Sequence, residues 1–302
     1  MKNIKFTEWL IGFIDAEGCF QIKRKLMPNN NIRYYFEFTI KLHIDNVPLL
    51  KFIKETLSIG RVAVRPNFNS CTFEIGSEKD LRIFINILDK LPLMGSKFMD
   101  FINFRKAFFI YFDRPSLVTD NIIETIENIR NNHNTKRTDF ELPLDFKCII
   151  TDYKLLGLIE GDGSFIINTL DLTPKLEIEL TATQKLLLMA IKEFLFNYFL
   201  SLGLSIDELE KSIRIYDLKP KGKSKATVRL TISRINFLHS YFNVYLRGLQ
   251  FFSSKSKDFE VFCTICEVLF NKLHINNDEV KKNLLILAKG MNNARYSTYK
   301  VE

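Results

Sequence analysis

The chain contains one short segment twice, and this repetition limits its possible folds more than any other feature. Residues 10–20 read LIGFIDAEGCF and residues 155–165 read LLGLIEGDGSF. Each opens as an apolar helical stretch and closes on acid-x-acid-Gly. Each is followed by residues alternating with the period of a strand, and then by a helical pattern. In the first copy FEFTIKLHIDN leads into VPLLKFIKETLSIG; in the second LEIELTATQ leads into KLLLMAIKEFLF. Leu49-Leu50 and Ile53-Lys54-Glu55 match Leu187-Leu188 and Ile191-Lys192-Glu193. Two further strand patterns follow in each half, RVAVRPNF with SCTFEIG and SIRIYDLK with KATVRLTIS, and one or two helices close it. Both halves therefore predict the order α-β-β-α-β-β-α within an α+β fold.

The expected organisation is a first repeat over residues 1–114, a linker over 115–147 and a second repeat over 148–302. The linker is rich in Asn, Thr, Arg and Asp, carries Pro115 and Pro143, and has some helical content in NIIETIENIRNN. Two copies of a fold in one chain suggest a pseudo-twofold assembly, the covalent form of a symmetric dimer that works as a monomer.

The repeated segment also points to chemistry. A helix carries partial negative charge at its C-terminal end, where acidic residues are disfavoured. Asp15 and Glu17, and Glu160 and Asp162, fall at that end, followed by Gly18 and Gly163 as C-cap glycines. A hard divalent cation would compensate such a cluster, and oxygen-bound Mg²⁺ activates water for cutting a phosphodiester. Gly12 and Ala16, and Gly157 and Gly161, give each helix a small-residue stripe at i and i+4. Packing the stripes together would bring both acidic ends to one place, where Glu17 and Asp162 could share metals. A capped helix with solvated carboxylates explains one motif as well; the matched pair favours the metal.

Composition narrows the class. The net charge of +8 favours a polyanionic partner such as nucleic acid. Phe, used 28 times, together with frequent Ile, Asn and Lys, reflects A/T-rich codons of the kind found in organelle genomes. No apolar run reaches membrane-spanning length, and the N-terminal segment does not read as a signal or transit peptide. Five scattered cysteines do not form a disulfide framework, and the CxxC of Cys263 and Cys266 reads as a pair of helix-face core residues rather than a zinc site. The four histidines lack paired ligand spacing.

LIGFIDAEG and LLGLIEGDG resemble the motifs of LAGLIDADG homing endonucleases, specifically the single-chain group with two motifs. The flanking element order is similar over nearly the whole chain. The resemblance implies a saddle of antiparallel sheets with the two motif helices at a central interface. It places the metal-binding acid at Glu17 and Asp162, with Ala16 and Gly161 beside them as further metal contacts; Asp15 and Glu160 take local hydrogen bonds at the helix ends. It implies a monomer that makes a staggered break with 3' overhangs in a long duplex DNA target, using Mg²⁺, with Ca²⁺ as a non-catalytic substitute. It also implies an intron-encoded protein of a mitochondrion, encoded there without a targeting peptide. Lys97 in PLMGSKFMDF and Lys255 in FFSSKSKDFE share the spacing Lys-x-x-Asp-Phe and resemble the family's central basic residue near the cut phosphates. They are the candidate catalytic lysines, with Lys257 as a rival to Lys255.

Strand alternation sorts the DNA-reading surface. Phe36, Phe38, Ile40 and Leu42 are expected to face the core. Tyr35, Glu37, Thr39, Lys41 and His43 face outward, with Arg61, Arg65, Ser70, Thr72 and Glu74. Gln21, Lys23 and Arg33 join them. In the second half the outward set is Lys175, Glu177, Glu179 and Thr181, then Arg214, Tyr216, Thr227, Arg229 and Thr231, with Asn168. Two basic loops, 24–33 beginning at Arg24 and 219–225 with Lys223 and Lys225, are expected to contact phosphate. An RNA-splicing maturase acting on intron RNA, and a non-catalytic DNA-binding regulator, remain alternatives. The regulator would predict loss of an acid or a lysine, and none is lost.

Overall fold

The structure, a computed structural model, describes residues 4–29, 31–114, 118–143, 146–220, 222 and 224–291. It divides into two compact units, one taking in the chain up to Phe13 and again from Ile149, the other Ile14–Cys148. The first helix, α1 (Ile4–Glu17), belongs to both, its first turns to one and its last to the other.

In the unit from Ile14 to Cys148, α1 runs directly into β1 (Gly18–Leu26), which pairs with β2 (Ile32–His43). Then come α2 (Val47–Leu57), β3 (Arg61–Arg65), β4 (Ser70–Ile75), α3 (Glu78–Lys90) and α4 (Lys97–Phe112). The strands form one antiparallel sheet in the order β1-β2-β4-β3. The period of two puts Phe36, Phe38 and Ile40 inward, as expected. Phe38 meets Phe84 of α3 at 4.4 Å, and Phe20 and Phe36 meet Phe101, Phe104 and Phe108 of α4. α3 is capped by Ser77, whose side chain accepts the Asp80 N–H, and buries Leu81, Phe84, Ile85 and Leu88, the stripe expected of an amphipathic helix.

The segment expected as a linker contains α5 (Asp120–Asn131) and a short 3-10 turn, Asn134–Lys136. It packs on this sheet through specific bonds. Tyr34 donates its hydroxyl to Glu127, Arg130 donates to the Ile22 carbonyl, and Asn134 donates to the Phe20 carbonyl, which also meets His133 Nε2 at 2.9 Å. Arg137 is buried against Asp100 at 2.8 Å.

The other unit follows the same core order: α6 (Asp152–Asp162), β5 (Gly163–Ile167), β6 (Pro174–Thr181), α7 (Lys185–Ser201), then α8 (Ile206–Ser212), β7 (Ile213–Leu218) and β8 (Thr227–Ser233). Its sheet is antiparallel in the order β5-β6-β8-β7. Next come α9 (Ile235–Phe237), a π turn over Leu238–Phe242, α10 (Asn243–Arg247), α11 (Lys255–Phe270) and α12 (Asp278–Gly290). α8 adds to the expected order. It begins in a capping box in which Ser205 accepts from the Glu208 N–H and Glu208 accepts from the Ser205 N–H. Cys263 and Cys266 are buried in α11, where burial pushes both thiols up to about 12. Among the described residues, no helix is long and apolar enough to cross a membrane.

Within this unit the first turns of α1 lie against α6 at backbone contact. A methyl group on Gly12 would stand 1.9 Å from the Lys154 carbonyl oxygen, and one on Gly157 would stand 2.0 Å from that of Trp9. Only glycine permits such an approach.

Candidate active site and sheet face

Each motif helix ends on its second acid, Glu17 for α1 and Asp162 for α6, and turns at once into a strand. Gly163 caps α6 as expected, donating its N–H to the Ile159 carbonyl, but neither it nor Gly18 takes a left-handed backbone. Gly163 has φ −76 and ψ 147, an extended backbone. Close approach explains both glycines instead. A side chain at Gly163 would meet the Ile159 carbonyl oxygen at 2.6 Å, and one at Gly18 would meet Ile14 at 2.7 Å.

The two acids of each motif are treated differently. Asp15 and Glu160 are buried, 6% and 5% exposed, whereas Glu17 and Asp162 are half-exposed. Asp15 accepts the main-chain N–H groups of Met94 at 2.7 Å and Gly95 at 3.2 Å. Glu160 accepts those of Phe252 at 3.0 Å and Ser253 at 2.5 Å. Met94 and Gly95 stand three and two residues before Lys97, as Phe252 and Ser253 stand before Lys255. The buried acid of each motif thus holds the turn that starts the lysine-bearing helix. Burial raises the Glu160 carboxyl above its ordinary value although four hydrogen-bond donors favour its charge.

The lysines return to the motif helices. Lys97 Nζ donates to the carbonyls of Ile14 at 3.0 Å and Ala16 at 3.1 Å. Lys255 Nζ donates to the Gly163 carbonyl and is buried, while Lys257 is exposed. Each ammonium therefore satisfies carbonyls left over at a helix end and adds positive charge beside the half-exposed acid.

Carboxylate and main-chain carbonyl oxygens are hard donors of the kind that suit Mg²⁺ or Ca²⁺. Glu17 and Asp162 offer such a set at helix ends, although the Ala16 carbonyl already accepts from Lys97. Among the described residues, no group of three or more His, Cys, Asp or Glu is arranged so that it could hold a metal ion. A divalent ion at either acid would take further oxygens from water or phosphate.

On the first sheet, pairing sets Gln21 beside Glu37, Lys23 beside Tyr35, Lys41 beside Thr72, His43 beside Ser70 and Arg61 beside Glu74. These share one face with Arg33, Thr39 and Arg65. Arg24 does not join them: it pairs with buried Tyr34 and its guanidinium lies 3.6 Å from Glu127 of α5. The expected loop 24–33 is also shorter, because β1 continues to Leu26 and β2 starts at Ile32. Ser70, Thr72 and Glu74 lie on central β4 and are only 7–9% exposed. Lys41 and His43 on β2, and Arg61 and Arg65 on β3, stay exposed.

On the second sheet the register places Lys175, Glu177, Glu179, Thr181, Arg214, Tyr216, Thr227, Arg229 and Thr231 on one face, with Thr231 8% exposed. Asn168 accepts the Leu170 N–H in the β5–β6 turn. Opposite charges interlock here: Arg229 reaches Glu179 at 2.7 Å and Glu177 at 3.4 Å, and Lys175 reaches Glu177 at 2.8 Å. Lys225 is exposed in the loop before β8, and Lys223 lies outside the described residues.

Residues 10–108 and 155–266 match the family model described as LAGLIDADG endonuclease. A Schizosaccharomyces pombe protein named probable intron-encoded endonuclease Cox1-I1b is 30% identical over 82% of this chain, and uncharacterized mitochondrial protein RF1 of Saccharomyces cerevisiae is 25% identical over 98%. The chain spans 62% of the length of each. Among solved structures, homing endonuclease I-GzeII in complex with its DNA target superposes with a TM-score of 0.79 at 21% identity, covering 96% of this chain and 99% of that one. I-SmaMI bound to uncleaved DNA in the presence of calcium ions superposes with a TM-score of 0.75 at 20% identity, covering 95% and 98%.

Proposed function

Because the chain belongs to the LAGLIDADG endonuclease family, we propose that it is a site-specific homing endonuclease that cuts both strands of a long duplex DNA target in a divalent-metal-dependent reaction. The observation that supports this most is the split between the paired acids. One acid in each motif is buried on main-chain N–H groups, leaving Glu17 and Asp162 half-exposed at the helix ends beside Lys97 and Lys255.

Glu17 and Asp162 would hold Mg²⁺, with the Ala16 and Gly161 carbonyls as neighbouring donors; Ca²⁺ would bind without supporting turnover. The metal supplies a polarised water and charge neutralisation at the phosphate. Asp15 and Glu160 fix the turns before α4 and α11, and these fix the lysines. Lys97 and Lys255 hold the helix ends and stabilise charge that develops on the cut phosphate. The polar sheet faces read base edges in the major groove, while basic loop residues such as Lys225 contact phosphate. The product is a staggered break with 3' overhangs. The related Schizosaccharomyces and Saccharomyces proteins, one named as intron-encoded and the other as mitochondrial, support an intron-encoded protein working in a mitochondrion.

Selection of cleaved molecules from randomised duplex DNA, with and without Mg²⁺, tests the proposal. Metal-dependent enrichment of one long target with staggered ends is expected. Binding to intron RNA with no cutting of any duplex would overturn it.

A further inference from the structure

The chain has a single tryptophan, and it bonds to the buried acid of the other repeat's motif. Trp9 lies on the early turns of α1, within the compact unit that contains α6 and α11. Its indole Nε1–H donates to Glu160 Oε1 at 2.9 Å. The ring is fully buried, stacked on Phe13 at 4.8 Å and tilted against Phe252 at 4.9 Å. Its main chain lies against Gly157, so the indole and the α6 backbone keep one fixed separation.

Glu160 gathers four donors from two places, the α1 indole and the 252–253 turn, where the Ser253 hydroxyl joins two main-chain N–H groups. Oε1 takes the indole N–H and the Phe252 N–H, and Oε2 takes the Ser253 N–H. The 252–253 turn leads into Lys255, whose ammonium bonds to the Gly163 carbonyl. Asp162 therefore stands between two residues whose positions depend on this carboxylate: Glu160 itself and Gly163. The residue of α6 that aligns with Trp9 is Lys154, so no indole stands at that position of the other motif.

We propose that Trp9 is a positioning residue for Asp162, acting through Glu160, so that the N-terminal repeat's helix sets the competence of the C-terminal repeat's carboxylate. This rests on the metal role proposed for Asp162. Displacing a reacting group by about 1 Å costs up to about 100-fold in rate, which leaves room for one lost hydrogen bond to matter.

Trp9→Phe removes the N–H and keeps a ring against Phe13 and Phe252. A β-(3-benzothienyl)alanine at position 9 removes the same N–H and preserves the two-ring outline, separating lost packing from the lost bond. The rate of each DNA strand is measured in single turnover with Mg²⁺, beside Glu17→Gln and Asp162→Asn, and DNA affinity is measured with Ca²⁺. Both position-9 variants are expected to lose about tenfold in rate with the strand preference of Asp162→Asn and unchanged affinity. Wild-type rates in the benzothienyl variant, or the strand preference of Glu17→Gln, would overturn the proposal. Full cutting by Asp162→Asn would instead remove the metal role on which it rests, whatever the position-9 variants do.

Discussion

The ammonium of Lys97 donates to the carbonyl of Ala16, 3.1 Å away, at the last turn of α1. It also reaches the Ile14 carbonyl, so one lysine ties off the helix end that carries Glu17. Replacing it by methionine keeps the length and removes the charge. Lys97→Met is expected to cut about 100-fold more slowly, with DNA affinity nearly unchanged, in single-turnover assays. A loss that follows only the fall in melting temperature would reduce Lys97 to a helix cap.

The glycine contacts give a stability prediction. A methyl group at Gly12 or Gly157 would sit about 2 Å from a carbonyl oxygen of the facing helix, with main chain rather than a flexible side chain in the way. Gly12→Ala and Gly157→Ala should each cost about 3 kcal/mol or more. Urea denaturation checks this through the midpoint, which should fall well below that of an alanine placed at exposed Gly290, where a methyl group meets nothing within 4 Å.

His133 provides a pH prediction. It is buried, and desolvation holds its imidazole below the ordinary value despite the opposing pull of Asp100 and the Phe20 carbonyl. A base depressed in the folded state contributes stability above its unfolded value, about 6.5, and loses it as pH falls from there through the folded value. Thermal melts from pH 7.5 to 5 should show the wild type losing stability relative to His133→Gln, which keeps a donor for Phe20 and does not titrate. A constant difference between the two across that range would contradict the assignment.

Much of this arrangement is legible in the residues. The strand period separates Phe36, Phe38 and Ile40 from Tyr35, Glu37 and Lys41, because β2 packs one face on the helices and leaves the other wetter. The small-residue spacing likewise marks Gly12 and Gly157 before any coordinate is known. Other features leave weaker traces. Helix α8 is only seven residues long, and its signal is the single capping box at Ser205 and Glu208. The main-chain donors at Met94, Gly95, Phe252 and Ser253 have no residue identity to recognise; only their fixed distance ahead of a repeated lysine hints at them. Trp9 and Glu160 are 151 positions apart, so only folding joins them. Arg24 departs from the expected DNA surface because the hairpin is longer than its loop composition suggests, and that places Arg24 on the face occupied by α5.

The exposed strand positions carry a specificity prediction. Lys41 stands on β2 with a free path to solvent, whereas its neighbour on β4, Thr72, is 7% exposed. Lys41→Ala should change base preference at a few adjacent positions, each by about 1–3 kcal/mol, with the rest of the target unaffected. Cleavage profiling on a library of singly substituted targets reads this directly. An unchanged profile at every position would remove Lys41 from base recognition.

The carboxylates at the ends of α1 and α6 are the centre of the proposed chemistry. Glu17→Gln and Asp162→Asn preserve shape and remove the charge that a hard cation needs. The decisive measurement is cleavage of a plasmid bearing the selected target by each variant in Mg²⁺, alongside binding to the same DNA in Ca²⁺. Bound duplex with double-strand cleavage largely lost is the expected result for either variant; wild-type linearisation by either one would take its carboxylate out of the reaction.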